Sequence, residues 1–512
     1  MATRKHECRW RGLAEKLEAR LAERDAAVAE RDAKLAALLS RMSEVEHQLA
    51  LAHKTIVGPK SEKIPPVADE VKKREGHKPE RGGHTNPRKR KENAEAMASL
   101  PTTVIPHPVP DAERRCPHCG DDIRPIGAGE RSVEYEWVPG RFERRVHVVE
   151  VGRCPCKMHY ARGPAPARVV EGCKYGAGFL AKLAVDKCGD ATPIYRVEKA
   201  MRRAGIPLSR STMNDLILLA GKLCMPLWKA ALEEVRLDPH VQADETSFRM
   251  QGAPTRSYVW TFLSKLHTVY LLAPTRSGDT PKNVLGGTTG RLTVDGHTGY
   301  NVVTEVEGRK RGGCWCHARR HLFDALPSAP EARDGLDIII DLFLVERQAQ
   351  ARGILGTPAH LALRQERSTT VLAALEQWIE RTQPLYEPRS AMGQALGYMN
   401  NQWTRLTAFL DDPLVPIHNN ASEAALRIVA LARKTSLFFG SDEAGRQLLV
   451  LYSLIATCER HDVNPQAYLS DVLVRLQDHP KDRVAELLPD RWMHTYGSAC
   501  TVERRVIPAD AT

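Results

Sequence analysis

Between residues 238 and 317 the apolar pattern switches from helical to strand period, and this switch constrains the fold most. Five runs carry it: VQADETSFRM, SYVWTFLS, HTVYLLAP, RLTVDG and GGCWCHA, separated by short turns or helical stretches. A block of helices follows over 326–410, and the strand-rich text does not resume after it. Instead comes the helix NNASEAALRIVALARKTS and a further helical tail. Strands alternating with helices, then helices alone, imply an α/β sheet core followed by a helical block.

Three acids stand out against this background. Asp244 closes VQADET, Asp295 closes LTVDG, and Glu423 sits near the start of the late helix, with Leu426 and Val429 on one face. Carboxylates gathered at a sheet end could hold two divalent ions for in-line phosphoryl displacement. Oxygen donors would favour magnesium or manganese over zinc. Many α/β proteins carry such acids for other reasons, so spacing alone leaves both readings open.

The chain before the sheet divides by composition. Leu21, Val28, Leu35, Met42, Leu49 and Ile56 recur every seven residues, with Leu17, Arg24, Arg31, Leu38, Val45 and Ala52 on the companion seam. That heptad pattern predicts a coiled coil over 1–57 and self-association as a homodimer or higher oligomer. The two arginines in the seam keep open a lone helix packed on its own chain. Residues 54–91 hold 12 basic and 5 acidic residues, and so carry +7 of the +11 net charge. With Gly58-Pro59, Pro65-Pro66 and Gly82-Gly83, the stretch reads as a basic linker (58–100), suited to phosphate contacts or simply solvated.

Within 101–165, Cys116 and Cys119 form a C-x2-C knuckle, and Cys154 and Cys156 follow about 35 residues later. Four thiolates at this spacing predict a structural zinc ribbon, with His159 an alternative ligand in the second pair. Residues 166–236 read as helical. A turn at Gly205-Ile206-Pro207, with Ser209 or Ser211 capping the next helix, fits a helix-turn-helix or a plain connector. In the first case Arg210, Ser211 and Thr212 would approach DNA. No apolar run reaches the roughly 18 residues of a membrane span, and the N-terminal text lacks a secretory h-region. A cytoplasmic, nucleoid-associated protein is expected, with its other cysteines as plain thiols.

Taken together, GPKSEK, CPHCG with CPC, PIYRVEKAMRRAGIPLSRST, ADET, VDGHTGYN, CWCHARRHLFDAL, RQERS, NNASEAALRIVALARKTSLFFGSDEAG and YSLIATCERHDVNPQAYLSDVL resemble an insertion-sequence 66 family transposase. The resemblance runs over nearly the whole chain. It implies a multidomain α+β protein whose ribonuclease-H-like core spans 237–325 and 411–460, is split by the insertion 326–410, and is followed by a tail over 461–512. It implies that Asp244, Asp295 and Glu423 bind two magnesium or manganese ions. No Ser or Tyr nucleophile is then expected. It also implies binding to terminal inverted repeats and target DNA, hydrolytic cleavage, 3′-hydroxyl strand transfer, and small accessory proteins as partners.

Cys314 and His317 match a C-x2-H that follows the second acid in related transposase groups, and they join Asn420 as active-site accessories. Cys316 replaces the family's alanine and reads as a small buried thiol. His418 stands where an aspartate is common. Asn419 and Asn420 would cap the Glu423 helix, and Arg427, Arg433 and Lys434 would meet DNA phosphates or form a solvated face. Two alternatives remain: a zinc-containing DNA-binding regulator with an inactive core, and a cellular nuclease or resolvase on the same fold.

Overall fold

The computed structural model describes residues 167–497 except 253–254, 307 and 437–438, most of 15–45, residue 142, and two short strands. Those strands, β1 (Val151–Arg153) and β2 (Tyr160–Arg162), pair antiparallel. The expected zinc ligands Cys116, Cys119, Cys154 and Cys156, the alternative His159, and the basic linker lie outside the described residues. The described part of 15–45 is helical, and its seam residues Leu21, Val28, Leu35 and Met42 are exposed.

Four helices lead into the sheet: α1 (Ala177–Ala184), α2 (Ile194–Arg203), α3 (Arg210–Leu223) and α4 (Met225–Leu237). The turn between α2 and α3 uses Gly205 at φ +75°, a backbone region open to glycine. Ser209 begins α3, its Oγ accepting the Thr212 backbone N–H at 3.2 Å, which settles the choice of cap. Leu180, Ile217, Leu227 and Val235 from these helices join the same apolar core as the sheet.

The sheet has five strands: β3 (His240–Phe248), β4 (Ser257–Leu263), β5 (Thr268–Ala273), β6 (Gly290–Thr293) and β7 (Arg309–Gly312). Their order is β5-β4-β3-β6-β7. The β3–β4 and β4–β5 pairs are antiparallel, and β3–β6 and β6–β7 are parallel. Helix α5 (Asp279–Leu285) lies between β5 and β6 in the chain.

Four of the five expected strands are present. The fifth, GGCWCHA, is not a strand: β7 stops at Gly312 and helix α6 (Trp315–Ala325) begins three residues later. Trp315, Ala318, Leu322 and Ala325 are the buried apolar positions, and that spacing is helical. The strand actually formed, RKRG, is polar in sequence because its inward residues are arginines. Arg309 is 1% exposed and donates to the carbonyls of Arg291, Arg236 and Asp238 and to the Thr288 hydroxyl. Buried charge paired this completely escapes a reading based on apolar alternation.

Helices α6, α7 (Ala332–Ala351), α8 (Thr369–Thr382) and α9 (Ala391–Leu406) enclose a second apolar core around Leu336, Ile339, Leu375, Trp378 and Met399. Arg364 locks this bundle to the returning chain. Its guanidinium makes two 2.7 Å bonds to the Glu346 carboxylate and donates to the carbonyls of Phe409, Asp412 and Val415. The chain then re-enters the sheet layer as α10 (Asn420–Ser436), which packs on β3 and β4. Helix α11 (Asp442–Arg460) covers β5, and α12 (Pro465–Arg475) follows.

Strand β5 is at the sheet edge, but side chains of α11 occupy its free donors. Ser453 Oγ accepts from the Tyr270 N–H at 2.9 Å and Thr457 Oγ1 from the Thr268 N–H at 3.1 Å. The edge is thereby closed to pairing with another chain. Gly221 of α3 makes α11's approach possible, since a Cβ there would sit 2.2 Å from the Gln447 carbonyl oxygen.

Candidate active site

The parallel register of β3 and β6 sets Gln242 opposite Thr293. Two residues further along each strand direction come Asp244 and Asp295, level with one another. Glu423 is in the first turn of α10, the helix that crosses β3. The three acids expected from the sequence are thereby brought together beside the middle of β3, just past the last residue of β6. Burial pushes the Asp244 carboxyl up to about 7, and the carboxylates of Glu245, Asp295 and Glu423 push it the same way. Asp295 and Glu423 lie within Coulombic reach of the largely buried Asp244, and carboxylate oxygens are the donor type a hard divalent cation takes.

Each aspartate has its own support. The Glu245 backbone N–H donates to Asp244 Oδ1 at 2.8 Å, and the His297 N–H to Asp295 Oδ1 at 2.9 Å. Arg311 holds the loop after β6, with Nη2 donating to the carbonyls of Asp295 and His297 at 2.6 and 2.7 Å. Its Nη1 donates to Asn301 Oδ1 at 2.5 Å. Arg311, a buried arginine in the polar strand β7, went unrecognised in the sequence.

Glu245 was missed as well. Strand alternation turns it away from Asp244, and its side chain has no exposed surface. Arg276 pairs with Glu245 Oε1 at 2.6 Å, and the Tyr300 hydroxyl donates to Oε2 at 2.5 Å. Two acids in succession within a strand were the available signal, since alternation places one on each face.

The junction of β7 and α6 delivers Cys314 and His317 beside Glu423, whose Oε1 is 3.7 Å from His317 Nδ1. Contact with the Cys316 thiol and burial push Cys314 well up, while contact with Cys314 draws Cys316 down. Asn420, the first residue of α10, stands with its side chain beside Cys316. Asn419 does not cap α10 as expected. Its amide Nδ2 donates instead to the Ala243 carbonyl at 2.8 Å, and its Oδ1 is buried without a partner. His418 stacks on Phe343 of the helical bundle, 6.1 Å between ring centroids.

Of the cations expected to meet DNA, Arg427 and Lys434 are exposed on α10. Arg427 lies one turn from Glu423, on the same face. Arg433 is engaged with the protein, donating to the Ser247 carbonyl at 2.9 Å. Arg210 is exposed and 3.3 Å from Glu198 on α2. The hydroxyls of Ser211 and Thr212 turn toward Ser209 Oγ, at 2.8 and 2.9 Å.

The profile described as transposase IS66 family matches residues 172–447, more than half of the chain and all three acids. The chain belongs to the IS66 transposase family. The profile of the IS66 C-terminal element matches residues 453–489, from the end of α11 through α12. Relatives of this IS66 family member include three Sinorhizobium fredii proteins, each named only as uncharacterized. The chain is 29% identical to y4hP over 417 residues, covering 76% of this chain and 74% of that protein. To y4jD it is 28% identical over 404 residues, 74% of this chain and 78% of that one. To y4qI it is 27% identical over 451 residues, 83% and 80%. Membership supports a transposase role, and with it action on DNA and use of divalent metal. No helix among the described residues is long and apolar enough to cross a membrane.

Proposed function

We propose that this transposase cuts and joins DNA strands at a centre built from Asp244, Asp295 and Glu423. The observation that carries this reading is the convergence of three carboxylates, remote in sequence, around an Asp244 whose proton is held up to about pH 7. Such a cluster is repulsive by itself and is relieved by cations. Two magnesium or manganese ions, when bound there, would supply nucleophile activation and charge neutralisation for in-line phosphoryl displacement.

The protein's own groups supply placement. Arg311 keeps the Asp295 loop fixed, Asn419 fastens the Glu423 helix to β3, and Arg427 offers a cation to a phosphate beside Glu423. Hydrolysis at the ends of the inserted DNA would leave a 3′ hydroxyl, which then attacks target DNA; a side-chain nucleophile is not required. The mixed sheet, with aspartates on neighbouring parallel strands and the glutamate on a covering helix, supports the ribonuclease-H-like reading. The basic linker, a zinc ribbon at 101–165 and the α2–α3 pair would bind the terminal inverted repeats, and the N-terminal heptads would pair two chains.

The test is strand cleavage of oligonucleotides carrying the native ends, with magnesium or manganese. Wild type should nick them and then join the 3′ ends to target DNA, whereas Asp244→Asn should lose both steps. Equal, negligible cleavage by the two proteins on the correct ends would sink the proposal and leave a DNA-binding regulator.

A further inference from the structure

The loop from β7 into α6 and the first turn of α10 gather a second donor set of different chemistry. The Cys314 thiol, a His317 ring nitrogen and a Glu423 carboxylate oxygen all lie within 4.8 Å of one another. His317 Nδ1 is buried and has no hydrogen-bond partner, though it faces Glu423. A buried ring nitrogen left unsatisfied is the kind of atom a ligand completes. Cys314 Sγ accepts the Asn419 backbone N–H at 3.2 Å, an outer bond of the type that orients a thiolate ligand.

Sulfur, nitrogen and oxygen donors together do not suit magnesium, which selects oxygen. They suit zinc and its neighbours, which take such ligands in tetrahedral sites. Three protein donors leave a fourth position for water. The side chains of His317 and Glu423 remain 28% and 34% exposed, which gives an ion a way in although Cys314 is fully buried.

We propose that Cys314, His317 and Glu423 form a binding site for a zinc-class divalent cation, which shares Glu423 with the acidic centre. Binding exchanges the thiol proton for the cation and releases that proton to solvent. A zinc-class ion there takes Glu423 out of the all-carboxylate set, so the two kinds of metal compete. The competition, though not the site itself, rests on the acidic-centre reading above.

The experiment titrates the chelator-stripped full chain with cobalt(II) alone, without DNA, following thiolate-to-cobalt absorption and bound cobalt by equilibrium dialysis. The cysteines of 101–165 stay intact in every protein, so their contribution cancels. Wild type should bind a single equivalent more than Cys314→Ser, and His317→Gln should weaken that equivalent about tenfold or more. If Cys314→Ser fails to fold by circular dichroism, His317→Gln, altered at a part-exposed position, carries the comparison. Identical cobalt stoichiometry, affinity and spectra in wild type and His317→Gln would overturn the site. Manganese binding followed by electron paramagnetic resonance separates the two claims. Zinc that leaves manganese occupancy unchanged overturns the sharing of Glu423. Manganese that fails to bind even without zinc removes the acidic-centre reading and leaves the cobalt result standing.

Discussion

The side-chain amide of Asn419 donates to the carbonyl of Ala243 at 2.8 Å, fastening the helix that bears Glu423 to the strand that bears Asp244. The bond is fully buried and bridges 176 residues of sequence. It is a direct mechanical link between two of the three acids.

Removing that link should hurt catalysis more than folding. Asn419→Ala leaves the Ala243 carbonyl unpaired and should cost about 1–3 kcal/mol of stability. At a temperature where the variant is fully folded, strand cleavage should still fall well below wild type. Thermal melts together with cleavage rates check this; a stable variant with wild-type cleavage would show that the bond does not position the glutamate.

Acidity at Asp244 gives the metal-free protein a distinctive pH response. The folded-state carboxyl titrates near 7, above its ordinary unfolded range, so between the two values the native state binds more protons. Stability must then fall as pH rises through that window, by at most about 1.4 kcal/mol per pH unit. Asp244→Asn removes the group and should flatten the profile, leaving the variant more stable than wild type near pH 8 in chelator. Magnesium should reverse the order by favouring the ionised wild-type site. Parallel calorimetric profiles for the two proteins would contradict the assignment.

Arg364 anchors the helical bundle to the segment leading into α10. Arg364→Met leaves Glu346 charged and partly buried with its strongest partner gone, and should destabilise the chain by about 3–5 kcal/mol. The double variant with Glu346→Met should recover part of the loss. Denaturant titrations of both decide it, and a single-variant cost below about 1 kcal/mol would show that the carbonyl and carboxylate bonds matter little.

The exposed seam of the N-terminal helix predicts association. Leu21, Val28, Leu35 and Met42 are 57%, 42%, 57% and 60% exposed, with no cover from the described remainder of the chain. Deleting residues 1–57 should lower the mass seen by sedimentation and abolish complexes holding two DNA ends, while sparing single-end binding. An unchanged mass would place the association surface elsewhere.

The candidate acids stood out in the sequence because their markers are local, though only the family resemblance gave them a role. Asp244 and Asp295 each interrupt an apolar strand-like run, although β3 continues past Asp244 to Phe248, and Glu423 rides one face of an amphipathic helix, patterns set by periods of 2 and 3.6 residues. The same locality explains the one misread strand. GGCWCHA looked extended, while RKRG carries no apolar alternation and is a strand whose Arg309 and Arg311 find carbonyl partners contributed by other segments.

By itself the sequence determined the type of each element along most of the core, and it marked three acids as candidates that the family resemblance then singled out. Only the tertiary structure decided that β3 and β6 run parallel in a register that levels the two aspartates. It also decided that Asn419 spends its amide on β3 rather than on a helix cap, that Arg433 serves the sheet, and that Glu245 is buried against Arg276 and Tyr300. The reason is physical. A residue's neighbours in sequence set its local conformation, but strand register, hydrogen-bond choice and burial of charge depend on partners tens to hundreds of residues away, which meet only when the whole core closes.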